Sequence, residues 1–96
     1  MIKDNKKKWI NPYTTSLLKV ILKLKNLEEA SRFFRDLLTE KEILELGQRW
    51  RVAKMLSDKA PYNKIERETG MSSTTIARIH KWLRKGMGGY RLMLEK

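Results

Sequence analysis

The chain has 96 residues, with 22 Lys and Arg against 11 Asp and Glu, one His, no Cys and 41% hydrophobic residues. That suffices for one small core and excludes two catalytic domains; a domain of this size buries only about 60 to 65% of its unfolded surface, so a second copy is expected as support. Without Cys there are no disulfides, thiolate nucleophiles or cysteine-held zinc, which fits a reducing compartment, and the single His80 excludes a histidine-rich metal site.

Residues 1–13 read as a flexible basic N-terminal arm, in which Lys3, Lys6, Lys7 and Lys8 precede the candidate anchors Trp9, Ile10 and Tyr13. Asn11-Pro12 stops a helix from running through that point. No secretory leader or membrane span is expected. Lys19 and Lys23 interrupt the apolar stretch from Leu17 to Leu24, whereas a secretory core needs roughly 7 to 15 uninterrupted apolar residues and a span about 20. The expected location is cytoplasmic, with no membrane partner.

From there apolar residues recur every three or four positions, so the expected fold class is all-α with about six helices, in a single helical domain over 14–96. A first helix over about 14–25 carries Leu17, Leu18, Ile21 and Leu22 on one face. A second begins at Asn26, which can cap while Glu29 reaches back, and continues as a stripe of Leu27, Ala30, Phe33, Phe34, Leu37 and Leu38. Thr39 and Glu42 form a Thr-x-x-Glu start for a third helix over about 40–57. This helix has apolar residues on several sides: Ile43, Leu46, Trp50 and Ala53 on one, with Leu44, Val52, Met55 and Leu56 around it. A second copy supplies the extra neighbours most simply, so the helix is expected at the centre of an intertwined homodimer, with an ordinary monomer core as the competing reading.

Residues 61–85, PYNKIERETGMSSTTIARIHKWLRK, have the pattern of a helix-turn-helix. Pro61 suits a first helical turn, Gly70 a left-handed stop, and Ser72 or Ser73 a new cap. Counting from Tyr62 as first, Ile65 falls fourth, Gly70 ninth, Met71 tenth, Ile76 fifteenth and Ile79 eighteenth, where two helices crossing over a short turn touch. Glu66 at the fifth place departs from the small residue usual there, and must point outward or widen the crossing. The second helix begins with Ser72, Ser73, Thr74 and Thr75 and continues with Arg78, Lys81, Arg84 and Lys85 without an acid. A major groove about 12 Å wide admits such a helix, short hydroxyls let it approach base edges, and its terminal amides favour phosphate. Ser72, Ser73, Thr74, Thr75, Arg78, Lys81, Arg84 and, on the preceding helix, Lys64 are the candidate DNA-binding residues. An ordinary helical hairpin with a solvated basic face is the plainer alternative. Residues 61–96 hold eight bases and three acids and residues 1–10 four and one, so both ends offer sequence-independent DNA affinity.

Through LKLKNLEEASRFFRDLLTEKEILELGQRWRVAKML followed by YNKIERETGMSSTTIARIHKWL, the chain resembles the Trp repressor superfamily, specifically its YerC/YecD-type branch, over about residues 17–95. The resemblance implies intertwined helices in a homodimer and two recognition helices set about one DNA turn apart, roughly 34 Å. In tryptophan-responsive members a corepressor lies between the long helix and the recognition helix. Thr39, Arg49 and Arg78 match three of its positions and mark a possible vestigial effector pocket. Ile79 stands where those members have Gly, and Trp82 where they have Ser, so bulk replaces the ligand and tryptophan responsiveness is not expected. Whether another small-molecule effector binds stays open.

Gly86-Met87-Gly88-Gly89 follows a helix and lacks the Lys-Ser/Thr of a phosphate loop, so it reads as a helix stop before a short closing helix with Tyr90, Leu92, Met93 and Leu94. His80 has no carboxylate near it in sequence and no nucleophile stands out, so neither an enzyme nor a cofactor is expected. Trp50 and Trp82 fall at inward spacing and are expected in the core. The expected function is a sequence-specific double-stranded DNA-binding transcriptional regulator, a repressor by preference. The alternatives are an RNA- or ribosome-associated basic module and an adaptor that keeps the fold without nucleic acid.

Overall fold

A computed structural model describes residues 8–96, which contain six helices and no strand. The chain divides into two compact units, Met1–Thr39 and Glu40–Lys96. The lysines at 3, 6 and 7 lie outside the described residues.

The first unit holds α1 (Pro12–Ile21) and α2 (Leu27–Leu37). Asn11 caps α1: its Oδ1 accepts the N–H groups of Tyr13 and Thr14, both at 2.9 Å, and Thr14 Oγ1 accepts the Asn11 N–H at 3.1 Å. The helix therefore starts two residues before the expected position 14, with Pro12 in the first turn, where its missing N–H costs nothing. It also stops short of 25, because the Lys23 and Leu24 N–H groups turn back to the carbonyls of Val20 and Ile21 in tighter three-residue turns. Asn26 caps α2 through the Glu29 N–H at 2.9 Å, and the Glu29 carboxylate accepts the Lys25 N–H at 3.0 Å, one residue earlier than a capping box requires. The apolar stripes of both helices contain no buried residue, and Leu22 and Leu27 are 84% and 82% exposed.

The second unit contains α3 (Glu40–Ser57), α4 (Tyr62–Thr69), α5 (Ser73–Lys85) and α6 (Gly89–Glu95). Its core joins Val52, Ala53 and Leu56 of α3 to Ile65 of α4 and to Ile76 and Ile79 of α5. Met55, Ala60, Met71, Leu83 and Tyr90 pack around them. Each fully buried Ile contributes about 2 kcal/mol, so these contacts fix how α4 and α5 sit on α3. Only residues near the C-terminal end of α3 are spent in this way; Leu44 and Leu46 in its N-terminal half, and Trp50 beyond them, stay exposed. Trp50 stacks on Tyr90 with ring centroids 6.4 Å apart. Trp50, 36% exposed, is outside the core, and so is Trp82, 44% exposed, contrary to their expected inward places. For Trp82 the reason is angular: α5 buries the line of Ile76, Ile79 and Leu83, and at 100° per residue Trp82 falls to its side.

The short link from α3 to α4 bends at Lys59, whose φ of 64° is left-handed. The Lys59 N–H donates to the Leu56 carbonyl and the Ala60 N–H to the Met55 carbonyl, the paired bonds of a Schellman ending, with Ala60 packed against the core. Among the described residues no helix is long and apolar enough to cross a membrane.

Candidate nucleic-acid interface

α4 and α5 form the expected helix-turn-helix. Ile65 anchors α4 in the core, and α4 ends where the Gly70 N–H donates to the Glu66 carbonyl at 2.9 Å with Gly70 at φ 72°. A residue with a Cβ rarely adopts that conformation, which is why Gly stands there. The Thr69 hydroxyl donates to the Ile65 carbonyl at 2.7 Å and accepts the Met71 N–H at 3.2 Å, so the turn is held on both sides. Ser72 is the cap of α5: its Oγ accepts the Thr75 N–H at 3.2 Å and lies 3.1 Å from Thr75 Oγ1. Glu66 is exposed, so the crossing accommodates it by the outward orientation.

Three contacts outside the core fix the motif. Arg51 of α3 donates to the Glu68 carbonyl at 3.1 Å and reaches the Glu68 carboxylate at 3.4 Å, tying α3 to the end of α4 beside the turn. Tyr62 of α4 and His80 of α5 share a hydrogen bond of 2.7 Å between the phenol oxygen and Nδ1, with their rings edge to face at 5.8 Å. Arg91 of α6 donates to the Leu83 and Arg84 carbonyls at 3.2 and 2.9 Å, which satisfies the last turn of α5.

The buried line of Ile76, Ile79 and Leu83 sets the opposite face of α5 by periodicity, and Thr74, Ala77, Arg78, Lys81 and Lys85 lie along it, bordered by Ser73 and Arg84. All seven are exposed. The side chains of Ser73, Thr74, Arg78, Lys81 and Arg84 make no hydrogen bond or ion pair among the described residues. These are five of the eight residues expected to bind DNA. Ser72 and Thr75 spend their hydroxyls on each other and on the cap. Lys64 stands on α4, 3.9 Å from the Glu68 carboxylate that Arg51 also engages.

The residues of the possible effector pocket fall on different elements of the chain. Thr39 closes the first unit, Arg49 lies on α3 with Glu45 at 3.7 Å, and Arg78 is on the outward face of α5. Ile79 is buried in the core. Sequence reasoning passed over Ala77, because an uncharged residue among bases carries no charge signal; its place three residues after Thr74 is the sign that could have found it. It also left Arg51 and Arg91 without partners, since both reach backbone carbonyls of other helices, which no sequence spacing encodes. What the face can do chemically is present short hydroxyls and methyls near a helix N-terminus, followed by unpaired cations, to an anionic groove.

The family model described as Trp repressor protein matches residues 13–96. The uncharacterised protein YerC of Bacillus subtilis (strain 168) is 48% identical over 80 residues, covering 83% of this chain and 77% of that protein. Among solved structures, a TrpR-like protein from Eubacterium eligens superposes with a TM-score of 0.86 at 42% identity, covering 92% of this chain and 91% of the other. A candidate Trp repressor from Staphylococcus aureus also gives 0.86, at 38% identity, covering 97% and 93%.

Proposed function

The chain belongs to the Trp repressor family, and on that premise we propose that it is a sequence-specific double-stranded DNA-binding transcriptional regulator that acts as a homodimer. One observation carries the reading: the outward face of α5 is free of acids and offers Ser73, Thr74, Arg78, Lys81 and Arg84 with no partner among the described residues, on a helix fixed at its start by the Ser72 cap and at its end by Arg91. Arg78, one turn into the helix, takes a guanine edge, while Lys81 and Arg84 take backbone phosphates.

The homodimer is supported by apolar surface that the chain leaves uncovered, at Leu18, Leu22 and Leu27 of the first unit and at Leu44, Leu46 and Trp50 of α3. Repression is favoured by the family's own description. Ile79 buried at the pocket position supports regulation without tryptophan. The lysines ahead of Trp9 add backbone affinity, and a DNA partner supports a cytoplasmic location.

The test is selection from random duplexes at near-physiological salt, with single-stranded RNA alongside. The expected result is a palindromic site with half-sites one helical turn apart, bound about 10³-fold or more above the pool. Arg78→Ala should weaken that site by about 1 to 3 kcal/mol and relax one base pair, and sedimentation should give twice the chain mass. Binding that is weak, steep in salt and blind to sequence would refute the proposal.

A further inference from the structure

Resting on that reading of α5, we infer that Thr74 and Ala77 recognise thymine through its C5 methyl group, and that they set the specificity of the half-site beside Arg78. The outward face supports this by what it carries and what it lacks. It holds no Asn or Gln, so it has no amide to pair in two-point fashion with adenine. Of the four hydroxyls at the helix start, those of Ser72 and Thr75 are engaged with one another and with the cap, and Thr75 is half-buried. The remaining groups near the N-terminus are Ser73, the Thr74 hydroxyl and methyl, and the Ala77 methyl.

Ala77 is exposed on the outward face, about 50° from the midline opposite Ile76 and Ile79, near which Thr74 stands. Its side chain ends at Cβ, so the helix backbone can approach the groove floor closely there. The longer Arg78 and Lys81 beside it reach past it to base edges and phosphates. Thr74 and Ala77 are three apart on one face, which puts their side chains about 5 to 6 Å from each other. Base pairs rise about 3.4 Å each, so the two methyls address neighbouring or next-but-one pairs of the same half-site. A thymine methyl is the apolar group a major groove offers, and contact with it excludes water from both sides.

The experiment replaces each thymine of the selected site in turn by deoxyuridine, which removes the methyl and leaves base pairing intact, and measures affinity for the full chain and for Thr74→Ser and Ala77→Ser. Thr74→Ser deletes one methyl and keeps the hydroxyl; Ala77→Ser puts a hydroxyl at the contact without the loosening that Gly would bring to a helix. For the unsubstituted protein, one or two thymines per half-site should lose about fourfold on conversion, the value of one buried carbon, and the others nothing. Each variant should lose the sensitivity at one of those positions and retain it at the other. Uniform weakening at every thymine, no weakening at any, or undiminished sensitivity in both variants would overturn the inference. A selected site that is specific yet indifferent to the methyl sinks this inference alone, whereas the absence of any specific site sinks the DNA-regulator proposal beneath it.

Discussion

Gly70 and Gly86 bound the two ends of the reading apparatus, and alanine should damage them for different reasons. At Gly70 the backbone has φ 72° and an added Cβ would meet nothing within 4 Å, so the whole cost of Gly70→Ala is conformational. A left-handed residue with a side chain costs about 1 to 2 kcal/mol, partly offset by the smaller entropy of the unfolded chain, which leaves about 1 kcal/mol. At Gly86 the φ of −79° suits any residue, but a Cβ would stand 2.5 Å from the Trp82 carbonyl oxygen, a backbone atom that cannot swing away. That oxygen also accepts the Gly86 N–H at 2.9 Å. Relief requires opening the last turn of α5 and straining the bonds from Arg91 to Leu83 and Arg84. At about 1 kcal/mol per hydrogen bond, the expected loss for Gly86→Ala is about 2 kcal/mol or more. Thermal unfolding followed by circular dichroism at one protein concentration should show a fall of about 5 °C for Gly70→Ala and about twice that for Gly86→Ala. Asparagine separates the causes, because it tolerates the left-handed region: Gly70→Asn should recover about half of the loss and Gly86→Asn none. A Gly86→Ala protein that melts like the parent, or a Gly70→Asn no better than Gly70→Ala, would refute this account.

Three further substitutions test the surroundings. Lys59→Gly should raise stability by about 0.5 to 1 kcal/mol in urea titration, since Lys59 holds a φ of 64° at a helix end where glycine is unstrained; a loss would mean that the lysine side chain contributes more than its backbone costs. Gln48 Oε1 is buried without a hydrogen-bond partner among the described residues, so Gln48→Met should stabilise by about 1 kcal/mol. A destabilised variant would show that another molecule, such as the second copy, satisfies that oxygen. Arg51→Ala removes the donor to the Glu68 carbonyl and should cost about 0.5 to 1 kcal/mol of stability while weakening DNA affinity, with Arg51→Lys restoring little because a lysine cannot fork between carbonyl and carboxylate. Full activity in Arg51→Ala would remove this residue from the support of the turn.

The order of elements was legible in the residues because the signals were local. Asn26, Ser72 and Gly70 act within four residues of their own backbone, and all three stand in the structure where spacing predicts them. The third helix over 40–57 and the inward residues Ile65, Met71, Ile76 and Ile79 follow from periodicity alone. What was not legible depended on geometry between helices. The inward expectation for Trp82 failed because a wide apolar side chain counts as core in a pattern, while its angle from the buried line decides its place. The partners of Arg51 and Arg91 are backbone carbonyls on other helices, which no spacing in the sequence encodes.

Charge alone is therefore a poor guide to which cations meet DNA. Of the bases in the second unit, Arg51 and Lys64 converge on Glu68, and Arg91 is spent on the end of α5. Exposed pairs of this kind are worth little to stability, so their effect is chiefly on shape: they withdraw positive charge from the rim of the turn and hold α5 in place. Among the described residues, Arg78, Lys81, Arg84 and Lys85 make no pair and share one helix, whereas the other unpaired bases of the unit, Lys41, Lys54, Lys59, Arg67 and Lys96, are scattered over other elements. A protein that used its whole charge for DNA would bind every sequence about equally, because phosphate contacts carry no base information. By committing part of its excess to the scaffold, this chain leaves the first turns of α5, where Thr74, Ala77 and Arg78 stand, as the place where one duplex can be told from another.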